Sequence, residues 1–537
     1  MPRPGLLSVL SLLLLLGSEA ATASNPAATA ELLRARLEGA TEATIQIGTE
    51  QIVAHPDLFR FYADRDYAPA WGAHGSTLLA LVEESVNDGL DPEAYRARWI
   101  GVALAAASAA PDAAADRELL LTDAFLRLGE HLLRGRVDPT TIAPERKWYP
   151  TRRERDLAAL LDRALVTGDI AGALDALRPQ HPAYRKLRDA LGRYRALAEA
   201  GTDLPIILPA STLTEGDESV RVPLVRQRLA LFGDLADAEP TGENRLLYSA
   251  AVADAVRRFQ ARHGLEVNGT VDQPTRTALN RSPEHWVRTL TLNLERWRWL
   301  PDDLGARHIL VNMPAFRLQV MEDGAPALAM NVVVGNPSWQ TPVFSDTMET
   351  VVFNPTWGVP PSIAAVETIP LARSKGSEYL SSRGYNVYRE GEQVDPSTVD
   401  WEKANAGQYY FVQSPGPANP LGTVKFAFPN ANDIYIHDTN QKRLFSRAKR
   451  AFSHGCIRAA EPHALAEHLL GRDKDWTQEK VQEKFAAGRL EYVPLDAPLP
   501  VHLVYLTAAV DAEGGIAFYD DVYGYDDALA TALGLGG

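Results

Sequence analysis

Sulfur is scarce in this sequence, whose 537 residues include one cysteine, Cys456, and five methionines. A single thiol cannot form a disulfide within its own chain, and it lacks the thiol partners that structural zinc sites commonly use. Cys456 is therefore a reactive thiol, a link to another chain, or a buried residue without chemistry.

Positive charge and long apolar runs are scarce as well. The 54 Lys and Arg residues are outnumbered by 69 Asp and Glu residues, which gives a formal net charge of −15. Because nucleic-acid-binding proteins usually carry a basic face, this balance argues against nucleic acid as a partner. The N-terminal apolar run, Leu6–Leu16, is too short to span a bilayer, and no later run approaches the necessary length. We therefore expect no membrane span.

The first residues have the pattern of a removable signal peptide. Arg3 precedes the apolar run, and Ala21-Thr22-Ala23 forms a cleavage site of small residues. The pattern predicts a signal peptide over residues 1–23, cleaved near Ala23. No cysteine follows that site to accept a lipid anchor. The mature protein is expected to be exported, to the periplasm.

The length and the changes of pattern predict several domains. Residues 24–200 are rich in Ala and Leu and predict a helical scaffold domain, for which we find no catalytic constellation. Its clearest helix, Glu118–Leu133, carries an apolar stripe at Leu121, Phe125, Leu128 and Leu132. Residues 201–219 mix Pro, Gly, Ser and Thr and predict a linker.

Residues 220–282 predict a small domain of three helices. The first ends at Gly233, and the second begins after Ser249, a favourable N-cap residue. Gly264 suits the end of the second helix, and Asp272 suits the beginning of the third.

From about residue 286 the pattern favours strands. Asp323-Gly324 predicts a tight hairpin between two of them. A second hairpin is predicted between Val501–Leu506 and Ile516–Tyr519. Residues 362–408 interrupt the strands with a polar, helix-like stretch, which we interpret as an insertion that covers a cleft.

The lone cysteine lies in the sequence Ser453-His454-Gly455-Cys456. A thiol reacts as its thiolate, so a nearby base is needed, and histidine is the usual one. His437 is a candidate because strand alternation over residues 434–437 places Ile434 and Ile436 on one face, and Tyr435 and His437 on the other. The backbone N–H groups around Gly455 and Cys456 are candidates for an oxyanion hole, since glycine permits a tight turn there. A catalytic thiol, an inert buried thiol, and a redox or metal role all remain open on these residues alone.

Two stretches resemble known families. Phe259–Leu265 and Asn268–Val271 resemble the type 1 peptidoglycan-binding domain. His437, followed after fifteen residues by Ser453-His454-Gly455-Cys456, resembles the signature of the YkuD-type L,D-transpeptidases. The run Asn419-Pro420-Leu421-Gly422 is similar to the larger YcbB-like branch of that family. Arg458 stands where the common family pattern has Asn.

The resemblance implies a multidomain α+β protein. It would have a helical N-terminal scaffold, a three-helix peptidoglycan-binding domain over 220–282, and a mainly-β catalytic domain over 286–537. The catalytic domain would be a β-sandwich with a capping insertion.

The resemblance also implies a reaction without a metal or cofactor. Cys456, activated by His437, would attack residue 3 of a tetrapeptide stem of peptidoglycan, release D-Ala and leave a thioester. The amine of a second stem would then form a 3→3 cross-link. The family chemistry further implies acylation by carbapenems. The partners would be donor and acceptor stem peptides, with other cell-wall synthesis enzymes as further candidates.

Several site assignments keep two interpretations. Tyr435 either contacts substrate or packs, Arg458 either binds a stem carboxylate or braces its loop, and Trp357 either lines the cleft or belongs to the core. Ser453 and His454 are expected to shape the loop. Water as acceptor would make the protein an L,D-carboxypeptidase, and an inactive thiol would leave a cell-wall-binding scaffold. A papain-like protease is disfavoured because its cysteine precedes its histidine in the chain.

Overall fold

The structure, a computed structural model, describes residues 25–40, 43–106, 108, 110–142, 148–201, 204–236, 238, 244–472, 475–511 and 513–536. The signal peptide predicted over residues 1–23 lies outside this part. The chain divides into two compact units. The first contains the described residues up to Glu84 with Asp91–Gly129 and Arg155–Asp175, and the second contains Ser85–Leu90, Glu130–Glu154 and the chain from Ala176 onward.

The first unit is mainly helical, as the sequence predicted. Its helices are α1 Pro26–Glu38, α2 Pro56–Ala63, α3 Gly75–Glu84, α4 Ala97–Ala105, most of α5 Pro111–Arg134, α7 Leu157–Thr167 and α8 Ile170–Asp175. The stripe expected on α5 is buried, which confirms its orientation toward a core. Buried carboxylates on the same helix are paired, because Asp123 binds Arg96 and Arg127.

A β-hairpin in the first unit was not predicted. Strands β1 (Thr44–Ile47) and β2 (Glu50–Val53) pair antiparallel. Ile45, Ile47 and Ile52 are buried, because alternation places β-branched residues on one face of a strand. The prediction of uniform helix over residues 24–200 was wrong at this point.

The three predicted helices of the small domain are present. They are α10 Val222–Leu231, α11 Ala250–Arg262 and α12 Gln273–Leu279, and they enclose a core that includes Val225, Val256 and Phe259. Gly264 has a φ of +60° after α11, as expected of a helix-ending glycine. Ser249 precedes α11, but its side chain makes no capping hydrogen bond.

Helices α6 (Pro139–Ile142), α9 (Pro182–Glu199) and α13 (Pro283–Trp297) belong to the second unit. α13 corrects the prediction of strands from residue 286, because the next strand begins only at Arg307. Almost every residue of the second half of α13 is buried. Its core contacts include α9 and the C-terminal hairpin.

The C-terminal region is built on one nine-stranded sheet with the order β13-β5-β14-β12-β11-β6-β15-β3-β4. These strands are β3 Arg307–Asn312, β4 Arg317–Glu322, β5 Ala325–Gly335, β6 Phe344–Phe353, β11 Val424–Ala427, β12 Ile436–His437, β13 Ala451–Ser453, β14 Ile457–Ala459 and β15 Glu491–Val504. Because β4 also pairs with β5, the sheet closes on itself. The expected β-sandwich is therefore a single curled sheet, and irregular registers in β5 and β15 permit its curvature.

The inside of the closed sheet is the apolar core of the region. Helices α17 (Pro462–Leu470) and α18 (Gln478–Ala486) contribute to this core, as does Tyr525 at the beginning of α19 (Tyr525–Leu533), and the rest of α19 packs on Leu292 and Trp299. The hairpin predicted at Asp323-Gly324 joins β4 and β5. The last hairpin was assigned wrongly: Ile516–Phe518 (β17) pairs with Ala508–Val510 (β16), whereas Val501–Val504 lies within the main sheet.

The predicted insertion forms a small α/β layer of its own. It contains α14 (Pro361–Ile363), a π-helix at Ala364–Thr368, α15 (Ile369–Lys375) and α16 (Ser377–Ser382). Its sheet has the order β7-β10-β8-β9, made of Trp357–Gly358, Tyr410–Gln413, Tyr385–Arg389 and Glu392–Val394 respectively. A separate core includes Val387, Trp401 and Phe411. In the described part of the chain, no helix is long and apolar enough to cross a membrane.

Candidate active site

A cleft of about 1000 Å³ opens between the closed sheet and the insertion. All eight residues singled out in the sequence line it: Trp357, Tyr435, His437, Ser453, His454, Gly455, Cys456 and Arg458. They come from three segments of the chain, of which the one with Trp357 lies about 80 residues before the other two, so the fold brings them together.

Two short parallel strands bring the histidine and the cysteine into the same cleft. β12 pairs with β14, with Ile436 opposite Ile457 and His437 opposite Arg458, and Cys456 directly precedes β14. Ile434 and Ile436 enter the core of the sheet. Tyr435 and His437 line the cleft, as the alternation expected for residues 434–437 requires, and Ile434 reaches the lining as well.

Hydrogen bonds within the loop hold the cysteine in place. The Ser453 hydroxyl donates to the Cys456 carbonyl at 2.5 Å and accepts the Gly455 N–H at 3.2 Å. The Thr341 hydroxyl donates to the Gly455 carbonyl at 2.7 Å. Gly455 has a φ of +115°, where a side chain would be strained.

This pattern changes the expected role of Gly455. Its N–H group is already bound to Ser453, so it does not point free into the cleft as an oxyanion donor. Among the hydrogen bonds of the described residues, none uses the Cys456 N–H, which leaves that amide as the candidate donor. Gly455 itself shapes the loop.

The Cys456 sulfur is half-buried and surrounded by hydrogen-bonding groups. Burial raises the pKa of the Cys456 thiol, while the Tyr435 N–H and hydroxyl, and the charges of Lys425 and Arg458, act in the opposite direction. The sulfur also lies 3.7 Å from the Asp433 carbonyl oxygen. The raised pKa means that the thiol form prevails near neutral pH before substrate binds.

His437 is almost fully buried, with 4% of its surface exposed. Burial and the nearby Arg458 charge lower the pKa of His437 to about 3. Its Nδ1 atom is buried without a hydrogen-bond partner among the described residues. The imidazole is therefore neutral, as a proton acceptor must be, and the resting pair is a thiol and a neutral imidazole.

Tyr435 links the cysteine to the insertion. Burial raises the pKa of Tyr435 well above its usual value, so its hydroxyl remains a donor. The hydroxyl lies near the Cys456 sulfur, whose negative form it favours, and near Trp357 at the beginning of the insertion. The Lys425 ammonium lies 4.0 Å from the centre of the Tyr435 ring.

Arg458 and His454 lie on opposite sides of the cysteine in sequence. An Arg458 nitrogen donates to Gln441 at 3.2 Å, and its buried Nε has no partner among the described residues. His454 lies 2.9 Å from Glu367, a residue of the π-helix in the insertion. The loop that carries Cys456 and the insertion are therefore in direct contact.

Comparison with known proteins places this region in a family. Residues 306–481 match the YkuD family, described as "L,D-transpeptidase catalytic domain". Residues 306–481 are therefore similar to a YkuD domain. Residues 218–279 match the family described as "Putative peptidoglycan binding domain", and residues 56–191 match one described as "Scaffold domain".

A curated relative agrees with the family match. A curated protein of Haemophilus influenzae, named "Putative L,D-transpeptidase", is 34% identical over 247 residues, which are 46% of this chain and 50% of that protein. The match thus spans half the length of the curated relative.

Solved L,D-transpeptidase structures are more distant. One from Xylanimonas cellulosilytica is 15% identical, with a TM-score of 0.19, over 55% of this chain and 100% of that one. One from Stackebrandtia nassauensis is 11% identical, with a TM-score of 0.21, over 55% and 97%.

Several residues outside the Ser-His-Gly-Cys motif hold the loop that carries Cys456. Thr341, which binds Gly455, also accepts the Gly335 N–H, and the Tyr523 hydroxyl donates to the Gly335 carbonyl. Asn336 donates to the Ser453 carbonyl through its backbone and its side chain. The sequence analysis missed these residues, because no local pattern joins residues 335–341 to residue 523.

The Asn-Pro-Leu-Gly run has a structural use in the YkuD domain. The buried Asn419 side chain donates to the Pro355 carbonyl and accepts the Leu421 N–H. Gly422 lies against the Asp438 carboxylate, where a Cβ atom would approach to 2.2 Å. That carboxylate accepts from Thr423 and Lys442. The run therefore anchors the strand that carries His437.

Within the described residues, no group of three or more His, Cys, Asp or Glu side chains is arranged to hold a metal ion.

Proposed function

We propose that this chain is an L,D-transpeptidase that forms 3→3 cross-links in peptidoglycan through a thioester on Cys456. The observation that carries the proposal is that two neighbouring strands bring a neutral buried histidine and the lone thiol, which directly precedes one of the strands, into one large cleft. The matches to the YkuD and peptidoglycan-binding families supply the substrate class. The peptidoglycan substrate also leads us to propose an extracytoplasmic location.

In the first half-reaction, neutral His437 takes the proton of the Cys456 thiol as the sulfur attacks the carbonyl carbon of stem residue 3. The bond between that carbon and the nitrogen of the terminal D-Ala breaks. The proton moves from His437 to the leaving amine, so free D-Ala departs and a thioester remains.

In the second half-reaction, the amine of a second stem attacks the thioester carbon. His437 accepts a proton from this amine and returns it to the departing sulfur, which restores the starting state of both side chains. The Cys456 N–H stabilises the negative oxygen in both halves, and such a donor typically contributes about 10²–10³ in rate.

The charge of the cleft supports this assignment. Lys425 and Arg458 both line it, and both act to stabilise a negative sulfur. When a substrate carboxylate enters and the site loses water, these cations also provide its counter-charge. Tyr435 adds a neutral donor at the sulfur.

The test is mass spectrometry of purified protein incubated with disaccharide-tetrapeptide. Wild type is expected to give a cross-linked dimer with loss of one D-Ala, and Cys456→Ala and His437→Gln are expected to give none. His74→Gln, which lies in the first unit, is the matched control and keeps the activity.

The other outcomes identify the rival functions. A tripeptide product without dimer would assign the chain as an L,D-carboxypeptidase with water as acceptor. Unchanged substrate, with binding to isolated cell walls retained, would contradict the enzymatic proposal and favour a cell-wall-binding scaffold.

A further inference from the structure

The catalytic cleft continues into a second groove on the insertion. This groove has a volume of about 420 Å³. Val359, Pro361 and Tyr410 line both the groove and the cleft. A ligand held in the cleft can therefore extend into the groove without leaving the protein surface.

Three tyrosines make part of the groove lining aromatic. Tyr388 and Tyr410 are directly opposite on the paired strands β8 and β10, with their ring centres 6.4 Å apart. Tyr409 precedes Tyr410, and the Arg389 guanidinium lies over its ring. Tyr410 is 52% exposed, although large aromatic side chains are usually better covered.

The backbone of the groove is open around these rings. The tip of the β8–β9 hairpin, Glu390-Gly391, and the loop at Ala406-Gly407 contribute small or backbone-only surfaces. A Cβ atom on Gly391 would meet no atom within 4 Å. Gln408, an exposed residue, adds an amide to the lining.

The charge of the groove differs from the charge of the cleft. None of the residues that line the groove, all of which the structure describes, is lysine or arginine, and Glu390 is the one carboxylate among them. The cleft contains Lys425 and Arg458. A ligand segment that carries carboxylates is therefore favoured in the cleft, and a neutral segment is favoured in the groove.

We propose that the groove binds the sugar residues of a muropeptide whose stem lies in the catalytic cleft. This inference rests on the proposed function, because it uses the same substrate. A pyranose ring has an apolar face of C–H groups and a rim of hydroxyl groups. Tyrosine matches both parts, since its ring is flat and apolar and its hydroxyl hydrogen-bonds. Gln408 and Glu390 provide further partners for hydroxyl and amide groups of a neutral sugar.

The test compares two substrates that differ only in the sugar: disaccharide-tetrapeptide and the free tetrapeptide. Tyr388→Ala and Gln408→Ala alter the groove without altering residues that line the catalytic cleft. We expect each to raise KM for disaccharide-tetrapeptide, by about tenfold for Tyr388→Ala, with KM for the free tetrapeptide and both kcat values unchanged. Tyr388→Phe keeps the ring and should retain most of the effect of the sugar on KM.

Tyr492→Ala is the matched control, because Tyr492 is 65% exposed and lines neither cavity. Equal changes for both substrates, or no change for either, would overturn the proposal. If wild type turns over neither substrate, calorimetry of both ligands with Cys456→Ala still tests the groove. Tighter binding of the disaccharide form, lost in Tyr388→Ala, supports it, and equal affinity for the two ligands overturns it.

Discussion

At the scale of single residues, the site is governed by burial more than by charge. Burial opposes both ions of a thiolate–imidazolium pair, since it raises the pKa of Cys456 and lowers that of His437. The groups that favour the thiolate, Tyr435, Lys425 and Arg458, counter this only in part. Ionisation of the thiol is therefore expected to accompany substrate binding, not to precede it.

Removal of the Tyr435 hydroxyl should make the thiol less reactive. In Tyr435→Phe the sulfur loses one of the donors that stabilise its negative form, so the pKa of Cys456 rises further. Alkylation of the single thiol by iodoacetamide, followed against pH, should become several-fold slower at pH 8, and its midpoint should move to higher pH. Tyr492→Phe should leave the profile unchanged, and an unchanged profile in Tyr435→Phe would refute the role of the hydroxyl.

Carbapenems should acylate Cys456. Attack of the sulfur on the lactam carbonyl opens the ring without a leaving group, so the protein should gain the whole mass of the drug. Intact-protein mass spectrometry measures this gain. Cys456→Ala should show no gain, and the same gain in that variant would place the adduct elsewhere.

At the scale of elements, the insertion and the loop that carries Cys456 meet through a contact between Glu367 and His454. Glu367 lies in a π-helix, a rare element that is frequent at functional sites. It reaches His454 directly beside Gly455 and Cys456. The conformation of the insertion and that of the nucleophile loop are thus expected to depend on each other.

The contact can be weakened by Glu367→Gln, which removes the charge and keeps the shape. Glu367 is about half-exposed, so the loss should be modest, on the order of 0.5–1 kcal/mol. Amide hydrogen exchange in residues 364–368 and 453–458 should accelerate about two- to fivefold. Glu378→Gln, in α16 of the same insertion, should not accelerate it. Acceleration in only one of the two segments would contradict their coupling.

The sequence predicts elements well where the pattern is local. Asp323-Gly324 determines a tight hairpin by its own conformational preferences, and the 434–437 alternation follows from one buried face. Helix α13 was missed because its second half is buried nearly all round, which removes the polar face that makes a helical period visible. The partners of Val501–Val504 were missed because pairing with β3 and β6 joins residues far apart in sequence.

The same distinction applies to the site. Cys456 and His437 lie in motifs that the chain displays locally. Glu367, Thr341 and Tyr523 act through contacts with residues about 90–190 positions away, which no local period or motif encodes.

At the scale of the whole molecule, several buried or partly buried histidines make the folded state sensitive to acid. Burial lowers the pKa of His437 to about 3 and the pKa values of His285 and His502 to about 4. Between pH 6.5 and about 4 the unfolded chain therefore binds protons that the folded chain does not. Stability rises with pH through this window and is lost as the pH falls through it.

The melting temperature should accordingly be lower at pH 5 than at pH 8, by roughly 5 °C or more. His502, which bonds to Ser345 and to the Leu304 carbonyl, is one source. The variant His502→Gln lacks the imidazole that titrates. The difference in melting temperature between pH 8 and pH 5 should therefore be smaller in that variant. Differential scanning calorimetry measures both values, and an undiminished difference would remove His502 from the explanation.

The chain enters and leaves the insertion at neighbouring points, because Trp357 in β7 is paired with Gln413 in β10. The segment between these two points has its own sheet and its own apolar core. Its ends therefore impose almost no spacing on the rest of the domain. Such a segment can be lengthened or exchanged as one unit during evolution. Access of ligands to the cysteine can then change while the strand pairing around the cysteine stays the same.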